Sequence, residues 1–158
     1  MKEPTRFAAI ELTELPSDAM SSRMSALKLL WLDRKSASKL PAREDFSPVD
    51  LRDWLGNISL VDVQVQPRRF RWRLIGTTIV EVLERDSSGR WFDEIYGDME
   101  LADFVQAYSL CVDRHLPVTF RGSVVFAGKD HIEFQMLQLP LAGNGTDVDM
   151  ILLMLEFV

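Results

Sequence analysis

The sequence predicts an α+β domain in which helices pack on one five-stranded antiparallel sheet. Three observations carry that reading. Apolar and polar residues alternate over 61–66 and 69–74, the period of strands with one wet face. Apolar residues recur every three or four positions over 18–35 and 98–114, the period of amphipathic helices. Met150 to Leu155 is apolar without a break, so that strand is expected to be buried on both faces and central in the sheet.

Taken in order, residues 1–17 read as a flexible lead-in, with a docked arm as the alternative, and 18–158 as a single domain. Pro16-Ser17-Asp18 signals a helix start. Met20, Met24, Leu27 and Trp31 then make the stripe of an N-terminal amphipathic helix over about 18–35. Ser47 and Pro48 suit the cap and first turn of a short second helix ending near Gly56-Asn57. Two strands follow, about 58–66 and 69–74, joined around Pro67-Arg68. Gly76 breaks the second strand and Ile79, Val82 and Leu83 share one side of a helix over 78–85. Asp86-Ser87-Ser88-Gly89 is a turn leading to the apolar Trp91, Phe92 and Ile95. The clearest helix is 98–114, with Leu101, Phe104, Val105, Tyr108 and Val112 on one face. Strands over about 117–127, 131–141 and 147–157 end the chain, with hairpin turns at Gly128-Lys129-Asp130 and Gly143-Asn144-Gly145. The last strand should lie between 58–66 and 131–141, its outer face covered by the first helix.

The net charge of −6 argues against nucleic acid as a partner, since an acidic chain repels phosphate backbones. A lone cysteine, Cys111, supports neither an internal disulfide nor a multi-cysteine zinc site. The charged N-terminus does not read as a signal peptide, and no apolar run approaches a membrane span. The expected compartment is the cytoplasm. No phosphate loop, nucleophile elbow or metal-ligand spacing is present; the reading is of a protein that is not an enzyme and carries no cofactor or metal.

The element order is that of PAS domains, and particular segments sharpen the resemblance. Leu40-Pro41-Ala42-Arg43-Glu44-Asp45-Phe46-Ser47-Pro48-Val49-Asp50-Leu51, Ile58-Ser59-Leu60-Val61-Asp62-Val63, Phe70-Arg71-Trp72-Arg73-Leu74-Ile75-Gly76-Thr77 and Leu139-Pro140-Leu141 resemble a family of stand-alone bacterial PAS-like proteins, PAS family five. Asp86 to Asp93 also matches, although Ser87 and Ser88 stand where the family usually has a Leu-Thr-Gly run. The resemblance spans about residues 25–157 and implies a PAS fold. It brings no agreed ligand and no catalytic residues. PAS domains that hold flavin carry a reactive cysteine in an Asn-Cys-Arg-Phe setting, which Ser109-Leu110-Cys111-Val112 is not. Haem-binding ones use a histidine on the long helix; His115 lies just past it.

The expected role is that of a sensory module with a small ligand between the inner sheet face and the central helices. Trp72, Leu74, Trp91, Phe104, Tyr108, Phe120 and Phe134 are its candidate walls, apolar with few polar groups as ligand sites are. Arg69, Arg71 and Arg73 on an edge strand guard against stray sheet pairing or offer a surface to an acidic partner or an anionic ligand. The alternatives are a ligand-free interaction module, acting as a homodimer or by docking a partner, and a small enzyme acting through Tyr108 or Asp93.

Overall fold

The computed structural model describes residues 7–16, 19–126 and 131–158. Its strands are β1 (Phe7–Leu15), β2 (Ile58–Gln64), β3 (Arg69–Ile75), β4 (Val118–Phe126), β5 (His131–Leu141) and β6 (Met150–Phe157). Its helices are α1 (Ser22–Arg34), α2 (Thr77–Leu83), α3 (Phe92–Ile95) and α4 (Asp98–Arg114). The sheet runs β1-β4-β5-β6-β2-β3, with every neighbouring pair antiparallel. It therefore has six strands rather than five. The extra one is β1, which lies in the expected lead-in and pairs along β4 from Phe7↔Phe126 to Leu15↔Thr119.

The last strand sits where its composition places it, between β2 and β5. Its unbroken apolar run follows from the two layers it separates. Ile151, Leu153 and Leu155 face an inner core shared with the central helices, and Leu152 and Met154 face an outer core under α1. The same division runs along β5, where Phe134 and Met136 point inward and Leu137, Leu139 and Leu141 outward.

Helix α1 covers the outer face with Met24, Leu27 and Trp31, all but fully buried. It starts at Ser22, capped by the Ser21 hydroxyl, which accepts from the Met24 amide at 3.2 Å. Of the earlier start signal, Ser17 and Asp18 lie outside the described residues, as does the Gly128-Lys129-Asp130 turn. The short second helix does not form. Residues 43–57 are turns with single 3-10 pieces at Arg43–Asp45 and Leu55–Asn57. Ser47 and Asp50 bind each other's backbone amides, a local closure that competes with helix. Phe46 and Leu51 are drawn under α1, and the Trp54 indole donates to the Arg23 carbonyl at 3.0 Å.

No helix among the described residues is long and apolar enough to cross a membrane.

Candidate functional site

The inner core is aromatic where β3, α3 and α4 meet. Phe92 stands at its centre, 4.9 Å from the Trp72 ring centroid and 5.2 Å from that of Tyr108. Beside this cluster lies a cavity of about 70 Å³. Its walls come from four strands and two helices: Trp72 and Ile75 of β3, Ile79 and Leu83 of α2, Phe104 and Tyr108 of α4, Phe134 and Met136 of β5, Leu155 of β6 and Leu12 of β1. Tyr96 and the loop residues Arg85 and Ser87 complete it.

The loop is held in place by backbone chemistry. Glu84 closes α2 in the left-handed conformation, at φ 53°. The Asp86 carboxylate accepts from both the amide and the hydroxyl of Ser88, and the hydroxyl contact is the main reason its pKa lies below the usual value. Gly89, at φ 83°, takes a turn that a side chain would resist. The loop then locks onto the free edge of β3, where the Gly89 amide donates to the Trp72 carbonyl and the Trp72 amide to the Arg90 carbonyl. Upstream, Gly76 lets α2 start against the Leu55–Asn57 turn. A Cβ there would lie 2.6 Å from the Ile58 carbonyl oxygen and closer still to that of Gly56. Its need is close approach, since its φ of −62° suits any residue.

Two tyrosines bring hydroxyls to the cavity wall. Tyr96 accepts from the Trp72 indole at 3.0 Å; burial pushes its pKa up to about 12, opposed by the Trp72 bond and by the charge of Arg85. Tyr108 is 1% exposed and its hydroxyl donates to the Met136 sulfur at 3.7 Å. A thioether is a weak acceptor, and burial pushes this phenol's pKa well up. The Met136 sulfur also receives the Gln138 amide at 3.9 Å, and the Gln138 Oε1 is buried without a partner among the described residues.

The expected walls divide. Trp72, Phe104, Tyr108 and Phe134 line the cavity; Leu74, Trp91 and Phe120 do not. Leu74 is 50% exposed. Pairing shifts from Val61↔Trp72 to Leu60↔Leu74, so β3 carries a one-residue bulge at Arg73. Such a bulge reverses which face each later side chain meets. Leu74 turns away from the cavity, and Ile75 takes its place in the wall. Trp91 makes a single bridge with Arg71 at the β3 edge. Its ring lies under the guanidinium of Arg69 at 4.1 Å and that of Arg71 at 5.2 Å, so it faces charge. Phe120 is buried further along β4, with Ala107 and Leu110 of α4 beside a larger but surface-open groove.

The arginine stripe has counter-charges within the chain. Arg69 grips Asp93 through two bonds of 2.6 and 2.9 Å, which raises its pKa. Asp62 receives Arg71 at 2.7 Å and lies 3.6 Å from Arg73. Cys111 is fully buried, and burial pushes its thiol pKa well up. His115 is exposed in the left-handed C-cap of α4. Among the described residues no group of three or more His, Cys, Asp or Glu is placed to hold a metal ion.

Sequence reasoning missed Leu12, Ile75, Ile79, Leu83, Arg85, Ser87, Tyr96, Met136 and Leu155 as walls. Ile79 and Leu83 were findable, one helical turn apart on the side already read as apolar. Arg85 and Ser87 carry no pattern, since only the fold brings that turn over the core.

Antiparallel strands in the order β1-β4-β5-β6-β2-β3, with helices inserted between β3 and β4 and a cavity beneath them, define a PAS-type sensory fold. The family model for PAS family five, described as a PAS domain, matches residues 19–155, and the chain belongs to that family. No curated protein matches it.

Proposed function

We propose that this PAS domain is a sensory module which takes a small ligand into the cavity and passes its occupancy on through contact with another protein. PAS domains are generally sensory rather than catalytic, and the reading here is non-enzymatic. The observation that carries it is the Tyr108 hydroxyl, a strong donor on the cavity wall whose acceptor among the described residues is a thioether. A buried tyrosine hydroxyl ordinarily has a good partner. A ligand oxygen beside it supplies one, and apolar walls of this kind suit ligand binding. Ligand contacts to α2 and α4 favour one arrangement of these helices over others, which is a shift of population.

The output surface is best sought on α1, where Leu29 and Leu32 are 65% and 46% exposed. The arginine stripe is the weaker candidate for an acidic partner, because Arg69 and Arg71 already hold carboxylates. Tyr108→Phe tests the ligand reading. For a binder found by metabolite screening with native mass spectrometry, affinity should fall by about 0.5–1.5 kcal/mol, the net value of one neutral hydrogen bond, with the fold intact. A binder whose affinity ignores the substitution removes Tyr108 from the site.

A further inference from the structure

The cavity has a chemical polarity that names a class of ligand, granted that it binds one. Among the described residues its walls contain no carboxylate and one cation, Arg85. Arg85 makes no ion pair with any described residue, unlike Arg69, Arg71 and Arg73 nearby. It is half-buried and its charge is felt at the Tyr96 phenol inside the core. Next to it in the wall is Ser87, 8% exposed, whose hydroxyl bonds to no described residue. The Asp86–Ser88 bonds and the Gly89 turn hold the backbone of the loop that carries both residues.

We propose that the cavity takes a small amphiphilic monocarboxylate, its carboxylate on the Arg85 guanidinium and the Ser87 hydroxyl, a hydroxyl or keto oxygen of its chain beside the Tyr108 hydroxyl, and the rest of the chain against Ile79, Leu83 and Phe134; the probes below test the acid head alone. Guanidinium and hydroxyl together present one positive charge and a set of donors, which matches a monoanion. Hydrogen bonds between charged groups are about twice as strong as neutral ones. A cationic ligand would meet Arg85 without a counter-charge. A di- or tricarboxylate would force its further charges against apolar walls, at heavy desolvation cost. The volume of about 70 Å³ is below the roughly 150 Å³ that admits benzene, so the cavity encloses only the first few methylenes of a chain and has no room for a ring system.

The test compares three probes of one shape on the full chain: hexanoate, hexanamide and hexylamine, by calorimetry and thermal shift at neutral pH. Hexanoate should bind about tenfold or more tighter than hexanamide, the difference expected of one charge-assisted contact, and hexylamine should bind least. Arg85→Gln should erase the preference for acid over amide, and Ser87→Ala should weaken hexanoate several-fold, with near-ultraviolet circular dichroism unchanged. Equal binding of acid and amide to the unmodified protein overturns the anionic head while leaving a ligand cavity in place. If none of the three probes binds, the carboxylate inference and the ligand reading beneath it fall together.

Discussion

At the scale of single residues, burial decides behaviour that side-chain type alone does not. The chain has two tyrosines, and both are in the inner core, with pKa values raised above the ordinary value of 10. The sign follows from the neutral form being the one the fold accepts. Unfolded tyrosines ionise near pH 10 and folded ones do not, so their stabilising contribution is complete below about pH 10 and is lost as pH rises towards the folded values. Tyrosinate absorbance should therefore be nearly absent at about pH 10.5 in folded protein, then appear in one cooperative step with loss of circular dichroism. Gradual ionisation from pH 10 with the fold intact would place at least one phenol in solvent. Leu74 shows the opposite limit. Its parity with Phe70 and Trp72 was plain in the sequence, but a bulge leaves no compositional trace when both its neighbours are ordinary strand residues.

At the scale of elements, periodicity was the legible part. The stripe at Met24, Leu27 and Trp31 named the buried side of α1 correctly, and the 98–114 helix was read to its ends. Where period failed, competing local bonds or long-range pairing had decided the outcome. The Ser47–Asp50 closure replaced a helix turn, and β1 became a strand because β4 offered it a partner. The cavity was half legible for the same reason: walls on regular elements follow parity, and walls on the Arg85–Ser87 loop follow only from tertiary docking. Trp31 is the anchor of the outer layer. It is 1% exposed and its indole donates to the Pro140 carbonyl at 2.9 Å. Trp31→Ala should cost about 3–5 kcal/mol in denaturant unfolding. A loss below about 0.5 kcal/mol, the range of surface changes, would mean that α1 does not cover the sheet.

At the scale of the whole molecule, the sheet is two pieces joined by one strand. β1, β4 and β5 form one piece, β2 and β3 the other, and in this sheet only β6 hydrogen-bonds to both. Ending the chain at residue 149 should thus abolish cooperative unfolding altogether, and a folded, cooperatively melting product would show that the pieces associate without β6. The order of the strands also sets a timetable in the cell. During translation β6 leaves the ribosome last of the six, after both pieces have been exposed with unsatisfied inner edges. Each such edge is a template for pairing with another chain. Until its most apolar segment arrives to close the sheet, the nascent protein carries the inner edges of β5 and β2 unpaired.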